Sequence, residues 1–130
     1  MQARWSRTKD VNPDAGAAFD ISEREVTWDG SVLAISGDLD VSCVAELRQA
    51  LETLVAERSG GLVVDLSEVS FIDSLSIASM VAARRRLGDE RRMAVVAQHP
   101  YVLLIFEAGG LDSVVPLFET IEQAVAHVRG

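Results

Sequence analysis

The period of the apolar positions changes several times along the chain, and each change marks an element. Residues 1 to about 18 have no hydrophobic period. Trp5 stands alone there among Arg4, Arg7, Lys9, Asp10 and Asp14, and Asn12-Pro13 interrupts the run. This stretch reads as a disordered leader, which leaves 19–130 as the folded domain. From Phe19 the apolar residues alternate: Phe19 and Ile21, then Val26 and Trp28. Asp29-Gly30 is a hairpin-turn pair, and Val32, Leu33 and Ile35 supply the return strand. Val44, Leu47, Leu51 and Leu54 then fall on one helical face, and Gly60-Gly61 closes that helix.

Leu62-Val63-Val64-Asp65-Leu66 is a short continuous apolar run, as expected of a parallel strand covered on both faces. Ile77, Met80, Val81 and Leu87 mark a second helix, with Arg84, Arg85 and Arg86 in its last turn, where cations complement the helix dipole. Met93 to Ala97 is a further strand. Pro100 opens a third helix that runs to about Ala108 and stops at Gly109-Gly110. Val114-Val115 predicts a short strand, and Thr120 with Gln123 forms a capping-box pattern for a last helix carrying Ile121, Val125 and Val128. The fold class is therefore α/β: one domain with a mixed sheet, an N-terminal hairpin plus parallel strands, covered by about four helices.

Composition narrows the function. The net charge of -8 repels a phosphate backbone, so nucleic acid is not the expected partner. A single Cys excludes an internal disulfide and a cysteine-cluster zinc site. The longest apolar run, Tyr101 to Phe106, is too short to insert across a membrane, and no signal-peptide pattern precedes it. The expectation is a soluble, cytoplasmic domain.

Enzyme signatures are missing from the sequence. It has no Gly-x-Ser-x-Gly elbow, no phosphate-cradling Gly-x-x-x-x-Gly-Lys and no dinucleotide fingerprint. His99 and His127 have no second ligand at metal spacing, so no catalytic residue, metal or cofactor is expected. Two polar clusters stand out instead. In Val69-Ser70-Phe71-Ile72-Asp73-Ser74-Leu75-Ser76, a strand feeds a short loop that opens a helix at Asp73 or Ser74. Asp and Ser are preferred helix caps, and on the residues alone capping is a sufficient account of both. The other cluster, Gly37-Asp38-Leu39-Asp40-Val41-Ser42, precedes the first helix, with Ser42 available as its cap. In a sheet whose strands alternate with helices, both clusters can lie at the end where ligands and partners bind. Cys43 beside them is either a buried, inert thiol or a low-pKa redox sensor.

These residues carry a resemblance. Gly37-Asp38-Leu39-Asp40, the Val64-Asp65-Leu66-Ser67 strand with its Asp73-Ser74 loop, Pro100-Tyr101-Val102 with Phe106, and Gly110-Leu111 occur in the order of the STAS domain. The chain resembles in particular the bacterial anti-sigma factor antagonists, over roughly Phe19 to Val128. The resemblance implies a protein without catalytic activity that docks on an anti-sigma factor, itself a GHKL-type ATP-dependent Ser/Thr kinase, and so frees a sigma factor. It implies Ser74 as the phosphoacceptor that ends docking, and a Ser/Thr phosphatase that restores it. Asp38, Asp40, Ser42, Asp73, Leu75 and Ser76 would face the partner.

The pattern is broken at one place. The family loop reads Asp-Ser-[Ser/Thr]-Gly, and here Ser76 stands where the Gly is usual. Ser76 is thereby a second candidate acceptor. Tyr101, Leu103 and Leu104 form either an apolar surface for a partner or for self-association, or additional core. Two other readings keep the fold: an accessory subunit that binds the ATPase of an ABC-type lipid transporter, and a stressosome-like scaffold component, for which residues 1–18 are short as a sensory domain.

Overall fold

From Ser31 onward strands and helices alternate, and a parallel arrangement follows because each strand returns to the sheet through a helix. The computed structural model describes residues 19–130 together with a two-residue strand, β1 (Arg7–Thr8); otherwise the expected leader, 1–18, lies outside the described residues. The remaining elements are β2 (Asp20–Arg24), β3 (Ser31–Leu39), α1 (Val44–Glu57), β4 (Leu62–Ile72), α2 (Ser74–Leu87), β5 (Met93–Val96), α3 (Pro100–Ala108), β6 (Leu117–Phe118) and α4 (Ile121–Arg129). Short 3-10 turns occupy Val41–Cys43 and Leu111–Ser113. The strands lie in sequence order in one sheet. The β1–β2 and β2–β3 pairs are antiparallel and the other three parallel. The expected mixed α/β sheet with four helices is the observed one.

Crossovers of one hand between sequential strands put their helices on one face. Leu33, Ile35, Leu62, Val64, Met93 and Val95 accordingly point into a single core with α1, α2 and α3. Their alternate neighbours Val32, Val63, Ala94 and Val96 pack on the opposite face with Ala124 and Val128 of α4. Helix α4 follows the last strand, so no crossover constrains it to the first face. Its Thr120–Gln123 capping box is formed as expected. Among the described residues no helix is long and apolar enough to cross a membrane.

Four local expectations are corrected. The β2–β3 connection is not a tight Asp29-Gly30 hairpin: Arg24 pairs with Val32, so Val26 and Trp28 lie in a wide loop and pack under α4 instead of extending a strand. The predicted loop at Val69–Ile72 is strand, because β4 continues unbroken to Ile72. The short late strand is Leu117–Phe118, after Pro116 and not at Val114-Val115. The buried face of α2 is Ser76, Met80, Ala83 and Leu87, while Ile77 and Val81 are half-buried. Here small residues, invisible to a search for large apolar ones, let the helix approach the sheet.

The length of β3 and β4 positions everything that follows. β5 pairs with β4 only from Leu62 to Asp65, and β2 pairs with β3 only from Val32 to Ser36. Beyond those limits Gly37–Leu39 and Val69–Ile72 run on as a two-stranded parallel extension. Its register shifts between Ala34 and Ser36 and again between Gly37 and Asp38. Gly37 stands at the second shift with φ 93°, a conformation that a side chain would strain.

Candidate functional site

The two polar clusters meet at the C-terminal end of the parallel strands. Asp38 is in register with Phe71, and Leu39 with Ile72. The Asp73 amide donates to the Leu39 carbonyl at 3.0 Å, which ties the start of α2 to the end of β3. The Ser70 hydroxyl donates to Asp38 Oδ1 at 3.2 Å, a further link between the strands. Asp38, Asp40 and Asp73 are therefore neighbours by construction, brought together by the strand extension.

A carboxylate holds the backbone at each of the two clusters, although α1 itself starts after Cys43 without a side-chain cap. Asp73 is the N-cap of α2 and accepts from the Ser76 amide at 2.8 Å. Asp40, not Ser42, caps the 3-10 turn that leads into α1: it accepts from the Ser42 amide at 2.9 Å and from the Ser42 hydroxyl at 2.6 Å. Ser42 was the sequence-based choice because it is adjacent to the helical period. The intervening 3-10 turn moves the cap two residues upstream. Cys43 is buried, and its thiol lies 3.3 Å from the Asp40 carbonyl and 3.5 Å from that of Asp38. Of the two alternatives, burial is the observed one.

The side chains that the sequence assigned to one role divide into two groups. Ser74 is the first residue of α2 and is exposed, with Leu75 beside it 51% exposed. Ser76 is 0% exposed and belongs to the buried face of α2. It cannot touch a partner or accept a phosphoryl group in this conformation, which corrects both expectations for it. The physical reason is helical geometry: two residues after Ser74 the chain has turned through about 200° and faces the core.

Ser76 also carries a defect, because its hydroxyl is buried without a hydrogen-bond partner. An unpaired buried hydroxyl costs about 1–3 kcal/mol. Ser76→Ala keeps the volume of the methylene and removes that cost, so it is expected to stabilise the domain by about 1 kcal/mol. A thermal midpoint several degrees above wild type would show it, and a lower midpoint would contradict the assignment.

Val41 and Phe71 escaped the sequence reading as surface residues, whereas Tyr101 and Leu104 were among its candidates for an apolar surface. Val41 is 68% exposed, and Phe71 and Tyr101 are each 38% exposed. The Phe71 and Tyr101 rings stack, with centroids 5.7 Å apart and planes within 8°. Leu104, one turn further along α3, is 59% exposed, while Leu103 packs partly against the core. Phe71 was hidden by the spacing of β4: the buried residues there are Leu66, Val69 and Ile72, three apart, so strict alternation misplaces the positions between them. Among the described residues no group of three or more His, Cys, Asp or Glu is placed to hold a metal ion.

The family model described as Mlab, STAS domain matches residues 24–118, which hold β3, both clusters and α1 to α3. The chain is 33% identical over 100 residues to the anti-sigma-F factor antagonist RsfB of Mycobacterium tuberculosis, covering 77% of this chain and 82% of that protein. It is also similar to the crystal structure of an anti-sigma factor antagonist from Mycobacterium paratuberculosis, at 29% identity and a TM-score of 0.80 over 100% of both chains. The phosphorylated form of the Bacillus cell fate determinant SpoIIAA shares the fold at 22% identity, with a TM-score of 0.65 over 84% of this chain and 99% of that one.

Proposed function

The chain belongs to the STAS domain family, and on that premise we propose that it is an anti-sigma factor antagonist switched by phosphorylation of Ser74. It docks, through the end of the sheet that carries Asp38, Asp40, Asp73 and Leu75, on an anti-sigma factor that is a GHKL-type Ser/Thr kinase. Docking displaces a sigma factor. Phosphoryl transfer from the kinase's ATP to the Ser74 hydroxyl ends the complex, and a Ser/Thr phosphatase restores the free hydroxyl. In this cycle the chain is the substrate of phosphoryl transfer and not its catalyst.

The observation that carries the reading is the contrast between two serines on one helical turn. Ser74 is presented to solvent on the first residue of α2, beside an exposed leucine, and Ser76 is buried. A kinase needs the acceptor hydroxyl in line with the γ-phosphate, and only an exposed side chain can enter its cleft. A phosphate at that position in the free protein sits at a helix N-terminus, where backbone N–H groups and the helix dipole favour it. The names of the relatives and the existence of a phosphorylated SpoIIAA support the same reading.

The test is a capture followed by a transfer reaction. Wild-type protein used as bait in lysate of the native host is expected to retain a GHKL-type ATPase. Incubated with that ATPase and ATP, the wild type should gain one phosphoryl group by intact-protein mass spectrometry. Ser74→Ala should gain none, and Ser76→Ala should behave as wild type. Capture of an ABC-type ATPase instead, bound equally by wild type and Ser74→Ala and Ser74→Glu, would move the protein to the transporter reading and leave Ser74 an ordinary helix start.

A further inference from the structure

We propose that the exposed face of the first two turns of α3 is a second contact site for the same kinase, with Tyr101 and Leu104 as specificity-determining residues. The inference rests on the reading above and extends its surface beyond the Ser74 turn. Its first support is where the apolar surface lies. Among the described residues six large hydrophobic side chains are exposed, and five of them, Val41, Phe71, Leu75, Tyr101 and Leu104, lie on the segments that begin or flank the Ser74 end. The sixth is Val114. Exposed apolar groups are normal when scattered, and their gathering at one end is what marks an interaction surface.

Continuity is the second support. Asp38 lies in register beside Phe71, and the Phe71 ring stacks on Tyr101, so the strand extension and α3 share one surface. Leu104 follows Tyr101 by three residues and therefore stands on the same side of the helix. The strip thus runs from the acidic cluster across an aromatic pair to an exposed leucine. Packing within the fold does not require it: Val102 and Phe106 already supply the buried face of α3.

Charge identifies the occupant. Segments 31–47, 66–83 and 93–108 contain no Lys or Arg, and they carry Asp38, Asp40, Glu46, Glu68, Asp73 and Glu107. From residue 19 on the arginines lie outside these segments: Arg24 at the end of β2, Arg48 in α1, Arg58 after it, Arg84, Arg85 and Arg86 in the last turn of α2, Arg91 and Arg92 before β5, and Arg129 at the end of α4. Helix capping explains Asp40 and Asp73. It does not explain Asp38 and Glu68, which are in strands, or Glu107, which sits near the C-terminus of α3 where the dipole disfavours an anion. A surface that is apolar at its centre and acidic at its rim complements a protein partner with apolar contacts inside a cationic rim. The chemistry therefore specifies a kinase whose docking face carries Lys or Arg around an apolar centre, and rejects one that lacks them.

The experiment titrates wild type, Ser74→Glu, Leu104→Asp and Leu104→Lys against the host's GHKL-type anti-sigma factors, each produced singly, by isothermal calorimetry. Leu104 is exposed, so both of its variants should unfold at the wild-type temperature. Loss of a buried interface leucine is expected to weaken binding about tenfold, and a cation facing a cationic rim should weaken it further, so Leu104→Lys binds less well than Leu104→Asp. Wild-type affinity in both Leu104 variants, with Ser74→Glu impaired, would overturn the α3 site and leave the Ser74 switch standing. Tighter binding by the Lys variant would overturn the cationic partner. Failure of wild type to bind any of these kinases would overturn the switch itself and this extension with it.

Discussion

Ser74→Glu is expected to weaken the complex with the kinase at least about 100-fold, whereas Ser74→Ala stays within a few-fold of wild type. The direction follows from what surrounds the residue. Ser74 opens α2 directly after Asp73, whose amide is tied to Leu39 at the end of β3, one residue beyond Asp38. A complex formed here desolvates these carboxylates, and a further negative charge among them has no cation of this chain to pair with in segments 31–47 and 66–83. Like charges brought together in an interface cost several kcal/mol, and 100-fold in affinity corresponds to about 2.7 kcal/mol. A phosphate carries about -1.5 to -2 charges at pH 7, so the Glu variant understates the proposed switch.

The same substitution has the opposite effect on the free domain. An acid in the first turn of a helix is stabilising by about 0.3–1 kcal/mol at an exposed site. Ser74→Glu should therefore unfold no earlier than wild type while losing its partner, a pairing that misfolding cannot produce. Calorimetric titration and thermal unfolding of the same preparations check both halves. Equal affinity for Ala and Glu variants would remove Ser74 from the interface.

The sequence made the core legible where burial has a simple period. Leu47, Leu51 and Leu54 in α1 and the Leu62–Leu66 run were read as buried and are. Caps written in the sequence were also legible where they stand next to a regular helix, as Thr120 and Gln123 do. Legibility failed where the backbone departs from regularity. The register shifts in β3 and the three-residue spacing of Leu66, Val69 and Ile72 in β4 break the two-residue period, so a strand extension was mistaken for a loop. The exposure of Phe71 went with it. Ser76 shows a different limit: its type suggests solvent, and only the turn of the helix after Asp73 decides that it is buried. The acidic cluster itself was visible, but its assembly depends on Asp38 and Asp73 coming from elements more than thirty residues apart.

The opposite end of the sheet holds the fold, and Arg91→Met is the substitution expected to damage it most among the charged residues. Arg91 is half-buried at the turn before β5, and its guanidinium donates to three backbone carbonyls: Val55 at 3.0 Å, Arg58 at 2.7 Å and Gly60 at 2.9 Å. Val55 belongs to the last turn of α1, whose carbonyls have no partner within the helix. One side chain thus caps α1, fixes the connection to β4 and anchors the start of β5. Beside it Arg58 forms a two-point ion pair with Glu23, at 2.8 and 2.6 Å, which draws the end of α1 to β2. The hydrogen bond to Glu23 holds the Arg58 guanidinium above its ordinary pKa.

Met preserves the aliphatic stem of Arg91 and its packing, so the substitution isolates the hydrogen bonds. Hydrogen bonds to a charged group contribute about 1.5–3 kcal/mol each, and water can reach part of a half-buried site, so the net loss is expected near 3 kcal/mol rather than the sum. For a domain of this size that lowers the thermal midpoint by about 10 °C. Arg92 supplies the control, since it makes one such bond, to the His127 carbonyl at 3.0 Å, at an exposed position. Arg92→Met should shift the midpoint by only a few degrees. If both variants unfold together, the three-carbonyl cap contributes no more than a surface contact. If Arg91→Met is specifically unstable yet binds the kinase normally when cold, stability and docking reside at opposite ends of one sheet.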